Sequence, residues 1–172
     1  MSQGEHSGRV TAYVALGGNL GDRLGQMQDA LDRLAAGGAV RVRQVSPVYE
    51  NRAVGMGEAA PFLNAMAEVD TSLAPLDLLD RCLEVESQLG RVRSGEWTPR
   101  TIDLDLIDYG EETIEHPRLR LPHPRIAERD FVVHPLHAIA PDLRIRGQRV
   151  ADLAADLSMD ALRRYEGALK IS

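Results

Sequence analysis

Asp103 and Asp105 stand two residues apart in the stretch Arg100-Thr101-Ile102-Asp103-Leu104-Asp105-Leu106. Apolar Ile102, Leu104 and Leu106 alternate with Thr101, Asp103 and Asp105, the period of a strand with one face on a core. Both carboxylates therefore leave the same face, with their Cα atoms about 6.5–7 Å apart. So close a pair repels unless a proton or a cation lies between. Oxygen ligands on a stiff strand suit Mg²⁺, which takes one or two carboxylates together with substrate phosphates. The competing reading is a solvent-facing strand whose acids pair with surface arginines. Just upstream, residues 90–100 carry Arg91, Arg93, Arg100, Gly95 and the single tryptophan, Trp97. Cations leading into an acid pair are what a polyphosphate needs. The plainer alternative is an exposed loop that neutralises nearby acids.

Composition removes several other chemistries. Lys170 is the only lysine among 20 basic residues, and no P-loop motif is present. Phosphate must then be held by arginine, by metal or by backbone N–H groups. There is no GxSxG motif for a serine hydrolase. His134 and His137 are three apart but lack a third ligand at a zinc-type spacing. A net charge of −6 disfavours a general nucleic-acid or anionic-membrane surface, and with it a metal-dependent nuclease. No apolar run is long enough for a bilayer, and residues 1–9 lack the apolar core of a signal peptide. Cys82, the one cysteine, has no internal partner and fits a reducing compartment. The expectation is a disordered tail over residues 1–9 and a single cytoplasmic domain over 10–172.

The elements that must position these residues follow from periodicity. Val10, Ala12, Val14 and Leu16 alternate with Thr11, Tyr13 and Ala15 as a first strand. Residues 17–22 read as a glycine-rich turn with Asn19 or Asp22 as helix cap. Leu20, Leu24, Met27, Leu31 and Leu34 mark an amphipathic helix ended by Gly37-Gly38. A second strand runs from Val40 towards Tyr49, with Pro47 placing it at an edge or leaving the sheet. Residues 50–61 form a long loop of the kind that often carries function. The third strand, Phe62 to Asp70, sets Leu63, Ala65, Ala67 and Val69 on one face and Phe62, Asn64, Met66 and Glu68 on the other. A ring thus lies beside an amide, which is either a ligand contact or ordinary packing. Pro75 opens a second helix with Leu79, Cys82, Glu86 and Leu89 on one stripe. Glu86 on a buried stripe needs an arginine or a hydrogen-bond network. The order is βαββαβ, a ferredoxin-like α+β core: an antiparallel sheet with helices on one face. Residues 111–121 read as an added C-terminal hairpin, with helices within 125–139 and from Val150.

Taken together, Ala15-Leu16-Gly17-Gly18-Asn19-Leu20-Gly21-Asp22, Pro61-Phe62-Leu63-Asn64, Gly90-Arg91-Val92-Arg93, Trp97 to Asp105, and Leu121-Pro122-His123-Pro124 with Arg129 and Phe131 resemble one family. It is the 6-hydroxymethyl-7,8-dihydropterin pyrophosphokinase family of folate biosynthesis. The resemblance covers residues 10 to about 143 and implies a ferredoxin-like fold. It implies transfer of a pyrophosphoryl group from ATP to the pterin's hydroxymethyl oxygen, releasing AMP. Asp103 and Asp105 match the family's aspartates for two Mg²⁺ ions. Arg91, Arg93, Arg100, Arg118 and His123 match ATP contacts. Phe62, Asn64, Arg129 and Phe131, with Asp103, match the pterin site, and Asn51 and Val54 fall on the loop that lines it. No general base stands out, Asp105 being the one candidate to take a proton. Gly18, Asn51-Arg52-Ala53, Glu96 and Thr98 depart from the family pattern. The implied partners are two small molecules and neither nucleic acid nor membrane, with the chain a monomer. The alternative is a non-catalytic ferredoxin-like ligand-binding module.

Overall fold

The computed structural model describes residues 8–19, 21–51, 62–90 and 102–171. Strand β1 (Val10–Gly18) leads into helix α1 (Arg23–Ala35). The turn between them is shorter than glycine content suggests, because Gly17 and Gly18 still pair in the sheet, opposite Asn64 and Leu63. Gly21, at φ +60°, makes the turn, and Asp22 caps α1 by accepting the Gly25 N–H at 3.0 Å. Met27, Ala30, Leu31 and Leu34 form the buried stripe of α1.

At Pro47, where the sequence placed the second strand at an edge or leaving the sheet, the strand is interrupted and then resumes, giving β2 (Val40–Val45) and β3 (Tyr49–Asn51). At the break, Ser46 replaces lost ladder bonds. Its N–H donates to Met66 O and its Oγ accepts the Met66 N–H, both at 2.8 Å. β2 and β3 both pair with β4 (Leu63–Thr71). Helix α2 (Pro75–Gln88) starts with proline in its first turn. Its buried stripe is Leu78, Cys82, Val85 and Glu86, one position round from the stripe read in the sequence. β5 (Asp103–Tyr109) then pairs antiparallel with β1. The strand order β3-β4-β1-β5, all antiparallel, is that of the ferredoxin-like α+β fold.

Both faces of the sheet are covered, whereas the sequence pattern placed helices on one. On the α1 and α2 side, Val14, Leu16, Leu63, Ala65, Leu104 and Leu106 pack with the helix stripes. On the other side, Tyr13, Met66 and Ile107 pack beneath α3 (Asp130–Ile139) and α4 (Val150–Ala155). The second cover exists because the C-terminal third is itself apolar on one side: Val132, Val133, Leu136 and Leu153 all face this cluster. His134 belongs to this packing, its Nε2 lying 3.0 Å from Leu157 O. The predicted hairpin is present as β6 (Ile114–His116) and β7 (Leu119–Leu121). Two further pieces carry little periodicity and escape a sequence reading. These are the short hairpin β8 (Arg144–Ile145) and β9 (Gln148–Arg149), and β10 (Leu162–Arg164), which pairs with β3 and extends the sheet.

Candidate active site

Strand alternation does what the sequence predicts at the acid pair. Leu104 and Leu106 enter the core under α1 and α2, so Asp103 and Asp105 both face the opposite side, where a cavity of about 330 Å³ opens. Asp103 is half-buried and Asp105 exposed. Strand register assembles the rest of the floor. Asn64 and Asp103 each pair with Gly17, so the three form one row across β4, β1 and β5. Met66, Ala15 and Asp105 form the next row. Gly17 keeps the first row open. A Cβ there would lie 3.4 Å from Asn64 Oδ1 and would fill space between the amide and the acids. Phe62 enters from the start of β4, and Phe131 and Val132 from α3 form the opposing wall.

Asn64 is buried, and its Nδ2 donates to Asn51 Oδ1 at 3.1 Å. This bond joins two residues of the implied pterin set across β3 and β4, and orients both amides at the cavity. His123 follows β7 and the cis Leu121–Pro122 peptide. Its Nδ1 accepts the Arg125 N–H at 3.0 Å, which leaves the proton of the neutral ring on Nε2. Arg129 Nη2 lies 3.4 Å from that Nε2. Burial, then the charges of Arg129, Arg125 and Arg146, hold the imidazole pKa below its usual value, against an upward pull from Asp105. The imidazole of His123 is thus biased towards its neutral form and lies within electrostatic reach of Asp105.

Not every expected residue joins this cluster. Arg118 is about half exposed and donates to Asp80 on α2. Arg91, Arg93, Arg100 and Val54 lie outside the described residues. Conversely, Ala15, Gly17 and Val132 line the cavity although the sequence reading gave none of them a site role. The available signal was the pair of small residues on the second face of β1. Glu86 meets its expected need for a partner, as its Oε2 accepts the Leu104 N–H at 2.7 Å. That N–H belongs to the residue between the two aspartates, so α2 holds the acid-bearing strand from behind. Cys82 sits on the same stripe, with its thiol pushed up to about 12 by burial, as a core residue. Hollows of about 370 Å³ between α1 and β2 and about 520 Å³ beside β10 contain neither acid.

Residues 13–141 match the family described as 7,8-dihydro-6-hydroxymethylpterin-pyrophosphokinase (HPPK). Among curated proteins, the Pseudomonas aeruginosa 2-amino-4-hydroxy-6-hydroxymethyldihydropteridine pyrophosphokinase is 42% identical over 157 residues, 91% of this chain and 97% of that one. The Bacillus subtilis protein of the same name is 45% identical over 128 residues, 74% of this chain and 77% of that one. Among solved structures, Plasmodium falciparum HPPK-DHPS with pteroate superposes with a TM-score of 0.67 at 13% identity. That match covers 86% of this chain but only 42% of the longer parasite chain, and it speaks to the fold alone.

Proposed function

The chain belongs to the 7,8-dihydro-6-hydroxymethylpterin-pyrophosphokinase family, and from that premise we propose that it transfers pyrophosphate from ATP to 6-hydroxymethyl-7,8-dihydropterin in folate biosynthesis. The products are AMP and the pterin diphosphate. One observation carries the assignment to this cavity: Asp103 and Asp105 share a face with Asn64, Phe62 and Phe131 around a single opening.

The acid pair offers oxygen donors only, on one rigid strand, which fits magnesium rather than a softer metal. Asp103 and Asp105 would hold two Mg²⁺ ions. Bound Mg²⁺ supplies a Lewis acid that draws charge from the phosphate oxygens. The remaining work falls to the chain's own residues. Phe62 and Phe131 take the faces of the flat pterin ring, and the Asn51 and Asn64 amides satisfy its polar edge. This places the hydroxymethyl oxygen beside Asp105. That oxygen bonds to the β-phosphorus of ATP, and the bond from β-phosphorus to the oxygen bridging to the α-phosphate breaks, so that oxygen leaves with AMP. The hydroxyl proton passes to Asp105 or to water. His123 donates to a phosphate oxygen as charge shifts to the leaving AMP, and Arg129 sets a cation beside the pterin pocket. Arg91, Arg93 and Arg100 add cations to the same oxygens, and Val54 adds apolar cover to the pterin. Arg118 reaches the nucleotide only by giving up Asp80.

Residues 10–172 act as one domain, and the working form is a cytoplasmic monomer. No helix among the described residues is long and apolar enough to cross a membrane. The test is incubation with ATP, Mg²⁺ and the hydroxymethyl dihydropterin, followed by chromatography. AMP and pterin diphosphate in equal amounts are expected. ADP in place of AMP, or ATP left intact, overturns the proposal.

A further inference from the structure

Strand β3 is only three residues long, and it delivers Asn51 to the cavity. A strand of three residues has few ladder bonds of its own to set its register, and a slip of one residue exchanges the two faces. In β3 that slip would send Glu50 to the cavity and Asn51 to the helical side. Glu50 is buried, with 7% of its surface exposed, and a buried carboxylate demands partners. It has two on the helical side. Arg23, in the first turn of α1, donates from Nη1 to Glu50 Oε2 at 2.8 Å. Arg163, from β10, donates from Nε and Nη2 to Oε1 at 3.1 and 2.8 Å. The Arg163 hydrogen bonds are the leading cause that holds the Glu50 carboxyl below the usual carboxylate range. β10 pairs with β3 residue for residue, Arg163 opposite Glu50 and Leu162 opposite Asn51.

We propose that the Arg163–Glu50–Arg23 cluster is a register lock for β3, and that Arg163 is a positioning residue for the pterin subsite through Asn51. The carboxylate can satisfy itself only while it faces α1, which fixes Asn51 on the cavity side, where its Oδ1 meets Asn64. Arg163 is not among the residues that line the cavity, so its influence runs through the strand. The inference rests on the pyrophosphokinase reading and on Asn51 belonging to the pterin side.

The test compares the full chain with Arg163→Ala, Arg163→Lys and Arg164→Ala in the AMP assay, with KM measured separately for each substrate. Arg163 is largely exposed, so its loss leaves the fold standing. Arg163→Ala is expected to raise KM for the pterin roughly 3- to 10-fold, with KM for ATP and kcat held within about twofold. Arg163→Lys is expected to recover most of that loss, and Arg164→Ala, which alters the neighbouring exposed arginine, is expected to match the parent. An unchanged pterin KM in Arg163→Ala, an equal rise in both KM values, or an equal effect of Arg164→Ala overturns the lock. Absence of AMP from the parent chain instead overturns the activity on which the lock depends.

Discussion

Asp103 and Asp105 lie on the accessible face of β5, so either carboxylate can be removed at little cost to packing. Asp103→Ala and Asp105→Ala are each expected to lower AMP formation by at least about 100-fold, while the melting temperature stays near that of the parent. Near-normal turnover in either variant removes the acid pair from the mechanism. Asp108 obeys the opposite rule. It is buried, and its Oδ2 accepts the Glu111 N–H at 3.1 Å. Burial is the main cause that raises its pKa from 3.8 to about 6, with Glu111 and Glu112 adding to the rise. A raised carboxyl pKa means that the fold favours the protonated form. No stability is lost below about pH 4, and the loss builds as pH rises from there through 6. Asp108→Asn keeps the acceptor and removes the charge. Its denaturation curves should match the parent at pH 4 and show a gain of up to about 3 kcal/mol at pH 8. A gain independent of pH would contradict this account.

At the scale of elements, the active site depends on how β5 is held. On one side it pairs with β1, and on the other Glu86 of α2 accepts the Leu104 N–H. Glu86→Ala leaves that buried N–H without its acceptor, at a cost of about 1–3 kcal/mol. Glu86→Gln retains an acceptor oxygen and should lose less. Urea denaturation of the two variants separates them, and equal stability would show that the bond contributes nothing. The sequence pointed to this arrangement only in outline. A carboxylate on the buried stripe of α2 signalled a partner, but its partner is a backbone amide of a strand that starts 17 residues later, and a backbone group leaves no mark in residue type. The alternation of Ile102, Leu104 and Leu106, by contrast, fixed the direction of both aspartates from local pattern alone.

Across the whole molecule, the C-terminal segment works as a strap. Tyr165 N–H donates to Val48 O, the Tyr165 ring lies 5.5 Å from the Arg23 guanidinium, and Lys170 and Gln28 exchange hydrogen bonds at 2.8 and 2.9 Å. Leu162 and Leu169 are buried. Truncation after Asp160 should therefore lower unfolding free energy by about 3–6 kcal/mol from those two leucines alone, read as a fall in the denaturation midpoint. A truncated chain as stable as the parent would reduce the strap to decoration.

By itself the sequence determined the βαββαβ order, the shared face of Asp103 and Asp105, and the juxtaposition of Phe62 with Asn64. These are consequences of side-chain period within single strands, which is a local property. Only the tertiary structure decided which strands lie side by side, and so that Gly17 leaves a gap between Asn64 and Asp103 and that Arg118 is engaged by Asp80. It also decided that β10 closes against β3, and that Glu50 finds its guanidinium groups there and on α1. Such pairings join residues far apart in the chain, 113 positions for Glu50 and Arg163. They are selected by the packing of the whole chain, since no window of sequence contains both partners.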